Sequence, residues 1–103
     1  MNFFDYIKDY DNEVLDFLHQ GKNIRVERII SCGQSSPEGF FYDQEEHEWV
    51  LLLQGSAKIG YDNGGEITLQ KGDSLFIPAH VKHRVNYTSK DPCCIWLCVF
   101  YKD

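Results

Sequence analysis

The chain reads as an all-β domain with one short helix at its front, and three observations predict this. Short β-prone runs recur between turn signals along most of its 103 residues. Asp62-Asn63-Gly64-Gly65 places an Asn-Gly pair, the strongest short hairpin signal, between two alternating runs. Lys71-Gly72-Asp73 and Pro78 bracket the run Ser74 to Ile77, because a turn opens it and proline cannot donate to a sheet ladder. This length allows one domain with one core, divided into a helical preamble over 1–22 and a β domain over 23–103.

Asp11 to His19 sets Val14, Leu15, Phe17 and Leu18 near helical spacing, with Asp11 or Asn12 as a cap and Gly21 just past the end. This predicts the helix, with His19 on its surface. Ile24, Val26, Ile29 and Ile30, interleaved with Arg25, Glu27 and Arg28, predict a partly exposed strand with an irregularity at Arg28-Ile29. Cys32 to Gly39 is a loop by its glycine, serine and proline content, after which Phe40-Phe41-Tyr42 begins the next strand. Asp43 to His47 is polar and turn-like, and Trp49 to Gln54 is strand. If Glu48 points inward, a period of two sends Val50 and Leu52 inward with it and Trp49, Leu51 and Leu53 outward.

Ala57, Ile59 and Tyr61 form one arm of the hairpin, Ile67 and Leu69 the other. His83 begins a strand five residues after Pro78, with Arg84 and Asn86 turned outward. In Ile95 to Tyr101 both faces are apolar, as is the outer face of the Trp49 strand. Such strands belong to a sheet covered on both sides, so the preamble and a second copy of the chain are expected to cover it as a homodimer.

A formal net charge of −6 with acids spread along the chain argues against a nucleic-acid surface. No apolar run approaches the ~20 residues of a membrane helix, and Met1-Asn2-Phe3-Phe4-Asp5-Tyr6 resembles no export leader, so cytoplasmic residence is expected. Cys32, Cys93, Cys94 and Cys98 fit no zinc spacing and are expected as reduced, mostly buried thiols.

Two spacings carry a family resemblance. Glu48 stands six intervening residues before Gly55; after sixteen intervening residues Gly72 follows, then Pro78 after five more and His83 five positions beyond. With Tyr42-Asp43-Gln44-Glu45-Glu46 leading into Glu48-Trp49-Val50, this resembles the two motifs of short single-domain bacterial cupins over residues 24–101. The resemblance implies a jelly-roll-like barrel handling a small polar molecule such as a sugar, keto acid or carboxylate. It also implies one divalent transition metal, Fe, Mn, Ni or Zn, at the barrel mouth.

Glu48 and His83 match the family's ligand positions, whereas its usual His-x-His pair is missing: those positions hold Tyr42 and Gln44 in one register, Phe41 and Asp43 in the other. The implied ligand set is therefore reduced to Glu48 and His83 with Asp43 or Gln44 as an oxygen donor. Tyr42 and His80 are expected to line the pocket, His80 at a corner where the family often has glycine; His47 should face away from Glu48. Without the resemblance, Glu48 would read as a solvated acid in a charged run and His83 as a hydrogen-bonded histidine at a pocket mouth. Two functions follow: a metal-dependent enzyme of undetermined activity, or a non-enzymatic effector-binding or structural domain with a vestigial site.

Overall fold

In the computed structural model, which describes residues 1–103, eight strands form two antiparallel sheets. They are β1 (Val14–Gln20), β2 (Ile24–Ser31), β3 (His47–Gln54), β4 (Ala57–Tyr61), β5 (Glu66–Leu69), β6 (Ser74–Ile77), β7 (His83–Thr88) and β8 (Cys94–Tyr101). One sheet runs in the order β1-β2-β8-β3-β6 and the other β5-β4-β7. The β4–β5 hairpin turns through Gly64, whose φ of 88° is left-handed.

Val50, Leu52, Ala57, Ile59, Leu69 and Trp96 meet between the sheets and form the main core. Leu52 has no exposed surface, and burial of such a side chain stabilises by about 1.5–3 kcal/mol. At the end of β3 the chain must turn against β8, and Gly55 allows it: with φ 88°, a Cβ there would lie 2.6 Å from Ser89 Oγ and 2.9 Å from Cys94 Sγ.

The predicted front helix is absent, and its residues form edge strand β1. Val14 pairs with Ile30 and Phe17 with Glu27, and a bulge between Phe17 and His19 shifts the alternation by one. A two-faced strand with a bulge puts apolar residues at the spacing a helix would show; the ladder to β2 decides between them. Val14–Gln20 of the preamble therefore belongs to the five-stranded sheet. β2 itself is regular against β8 from Ile24 opposite Tyr101 to Ser31 opposite Cys94, so the irregularity expected at Arg28-Ile29 is not there.

Residues before β1 lie over the outer face, as a covering segment should, but without helical structure. Arg28, 6% exposed, donates from Nη1 to the carbonyls of Asn2, Phe3 and Asp5 at 3.3, 3.3 and 2.9 Å. Its Nε and Nη2 bind Asp16 Oδ2 at 2.9 and 2.6 Å, which neutralises the buried guanidinium.

The thiol expectation is corrected for two of the four cysteines: Cys32 and Cys93 form a disulfide with Cα atoms 4.4 Å apart. The β2–β8 register explains it, because Ser31 faces Cys94 and the next residue outward on each strand is a cysteine. Cys94 and Cys98 are free and buried. No helix of the chain is long and apolar enough to cross a membrane.

Candidate functional site

The sheets part at one end around a cavity of about 280 Å³, with Val50, Ile59, Ile77, Trp96 and Phe100 among its apolar walls. Glu48 reaches it as the second residue of β3, where its ladder partners are Phe100 on one side and Ile77 on the other. Because Val50 and Leu52 point to the same buried side, the alternation of β3 drives Glu48 in with them. His83 opens β7 opposite Tyr61, and the bridge to Tyr42 fixes its backbone through Tyr42 N to His83 O at 2.7 Å and His83 N to Tyr42 O at 3.1 Å.

These two residues meet. His83 Nε2 lies 3.3 Å from Glu48 Oε1, while His83 Nδ1 donates to the carbonyl of Val81 at 2.9 Å. Burial works to lower the imidazole pKa, yet the contact with Glu48 and the Val81 carbonyl outweigh it, so the pKa is raised above its ordinary value. Tyr42 stacks on the imidazole with ring centroids 5.4 Å apart, and burial together with Glu13 and Glu48 pushes its phenol pKa up.

Gln44 lines the cavity, and its backbone carbonyl accepts from His80 N at 2.8 Å. Asp43 and His80 do not join the site: Asp43 Oδ1 pairs with His80 Nδ1 at 2.9 Å, both side chains being largely exposed. A polar turn keeps Asp43 in water, and His80, with φ 64°, holds the left-handed corner after Pro78. His47 faces the other side of β3, accepting from Ala79 N at 3.0 Å through Nδ1.

The cavity also contains residues that the sequence reading left outside it: Glu13, Arg25 and Glu27. Arg25 Nε binds Glu27 Oε2 at 2.7 Å, its Nη1 binds Glu46 Oε1 at 2.7 Å, and its guanidinium lies 4.0 Å above the Phe100 ring. Glu13 Oε2 accepts from Ser31 Oγ at 2.7 Å, and Ser31 Oγ accepts from Trp96 Nε1 at 3.2 Å. The available signal was alternation in β2, which places Arg25, Glu27 and Ile29 on one face.

The donors do not fit a resident divalent metal. Glu48 and His83 converge, but a site normally takes three protein ligands or more, and no three His, Cys, Asp or Glu side chains come together here. Asp43, the expected third donor, is turned to His80, and Glu27 is engaged by Arg25.

Residues 29–100 match the cupin domain family, and the chain belongs to that family. Over its whole length it is similar to a Ralstonia eutropha protein named as a candidate mannose-6-phosphate isomerase, with 37% identity, a TM-score of 0.94 and 97% of that chain covered. A cupin superfamily protein of Desulfitobacterium hafniense is 22% identical with a TM-score of 0.79, over 95% of this chain and 84% of that one. An RmlC-like cupin of Desulfovibrio desulfuricans is 17% identical with a TM-score of 0.76, over 97% and 93%; these two show the fold alone. No curated protein matches this chain.

Proposed function

We propose that this cupin binds a small polar molecule in the cavity between its sheets, with Glu48 and His83 as the pair that orients it. The supporting observation is the state of Glu48. It is nine-tenths buried, it lines the cavity, and its only close polar partner is His83. A contact of 3.3 Å is longer than the ~2.7–2.9 Å of a tight charge-assisted bond, so both groups retain capacity for a ligand. Such a pair can take the proton from the carbon beside a carbonyl at Glu48 while His83 gives one to the carbonyl oxygen, and the enediol so formed takes the proton back on the neighbouring carbon as its other hydroxyl returns one to His83, which is the chemistry an aldose–ketose isomerisation asks of a protein.

The name of the Ralstonia relative suggests a phosphorylated sugar. The cavity supports the sugar better than the phosphate, because Arg25, its one guanidinium, is already held by Glu27 and Glu46. Melting shifts and calorimetry with small sugars, hydroxy acids and amines test the binding reading. Glu48→Gln and His83→Asn should each abolish the response while circular dichroism stays native; an unchanged response would remove the pair from the site.

One observation favours a metal instead: the Val81 carbonyl holds Nδ1 and aims Nε2 at Glu48, as outer partners orient a ligating histidine. Elemental analysis of untagged protein purified without chelator separates the readings. Near-stoichiometric Fe, Mn, Ni or Zn that disappears in His83→Ala would favour the metal; none after reconstitution would leave the pocket reading alone. We also propose a homodimer through the outer face of β3 and β8, where Trp49, Leu51, Leu97 and Val99 keep part of their apolar surface in water.

A further inference from the structure

We infer that the ligand of this cavity is a small organic cation, an ammonium or amidinium group on an apolar skeleton; this deepens the pocket reading and rests on it. The charges on the wall do not cancel. Three carboxylates, Glu13, Glu27 and Glu48, face two cations, Arg25 and His83, so the balance is one negative charge even with His83 protonated. Arg25 is held by Glu27 and Glu46, and His83 by Glu48, which leaves no cation on the wall for the carboxylate of Glu13.

Hydrogen-bonding capacity is unbalanced in the same sense. Ser31 Oγ donates to Glu13 Oε2 and Arg25 Nε to Glu27 Oε2, while the contact of Glu48 is to Oε1 alone. Glu27 Oε1 and Glu48 Oε2 have no hydrogen-bond partner and are not sealed from solvent, Glu13 is exposed, and all three residues line the cavity. The three acids share that wall without converging on a single point.

Such a wall asks its ligand for donors and positive charge. Trp96 and the aliphatic Val50 and Ile59 on the cavity wall suit an apolar skeleton, and an aromatic wall attracts a cation. An anionic ligand would meet three carboxylates with no free cation to offset them.

The test uses three probes on one skeleton, benzylamine, benzyl alcohol and benzoate, with mannose as a neutral polyol, in calorimetry at about 10 mM to reach the weak affinities of fragments. Benzylamine should bind at least tenfold more tightly than benzyl alcohol, and benzoate should not bind. Glu13→Gln, at an exposed residue, and Glu48→Gln should each weaken benzylamine about tenfold or more, the loss of one charge-assisted bond. If benzyl alcohol or mannose binds as tightly as benzylamine, or benzoate binds, the cation is wrong while the pocket reading stands. If none of the four binds, both are wrong.

Discussion

Breaking the bond between Cys32 and Cys93 should remove much of the stability of this domain. The cross-link spans a sequence separation of 61, for which the loop-closure relation gives roughly 4 kcal/mol at 25 °C, within a usual range of about 2–4 kcal/mol. Domains of this size are stable by only about 5–15 kcal/mol in total. Both cysteines are almost fully buried beside Ile30 and Ile95, so Cys32→Ala with Cys93→Ala adds a small packing loss to the entropic one. With a urea slope near 1.5 kcal/mol/M, the midpoint should fall by roughly 2.5–3 M in the double variant, and by nearly as much in the wild type with reductant. Thiol titration in denaturant without reductant should count two sulfhydryls, those of Cys94 and Cys98. Four titratable thiols, or a midpoint that ignores reductant, would refute the cross-link and restore the reduced pairs expected of a cytoplasmic protein.

The raised pKa of His83 makes its stabilising contribution complete below about pH 6.5, the unfolded value, and lost as pH rises through the folded value. The stability difference between wild type and His83→Asn should therefore shrink between pH 6 and pH 9, and a difference that grows would reverse the sign of the pairing. Glu48→Gln should lower the His83 midpoint read from its imidazole proton resonances; an unmoved midpoint would place the cause elsewhere. Gly55→Ala combines a left-handed φ with a Cβ 2.6 Å from Ser89 Oγ and should destabilise by about 2 kcal/mol or more, whereas Gly64→Ala, with open space around it, should cost about 1 kcal/mol. Equal losses in urea melts would discount the steric part. Trp49→Lys should halve the mass seen by light scattering if the outer face joins two copies, and a wild type already monomeric would end that reading.

Glu48 and His83 could be found in the sequence because they stand at the family's motif positions, each near the head of a strand marked by Gly55 beyond one and Pro78 before the other; local pattern alone does not single them out. The other carboxylates could not. Glu13 and Glu27 enter the cavity only because β1 pairs with β2 and β2 with β8, long-range choices that a local pattern does not contain. The same pairings undo the helix reading of β1 and bring Cys32 to Cys93. Asp43 shows the reverse failure: a residue at a plausible spacing pairs instead with His80, which the fold brings to it from the loop between β6 and β7.

Ser31 sits at the junction of two parts of the molecule that otherwise look independent. Its hydroxyl holds Glu13 and Trp96 inside the cavity, and its backbone continues directly into the bonded Cys32. Any slack admitted into that strand end by opening the sulfur bridge therefore reaches the placement of a cavity charge within one residue. The oxidation state of the thiols and the placement of the Glu13 carboxylate then share a single mechanical link, and reductant should loosen the cavity wall along with the fold.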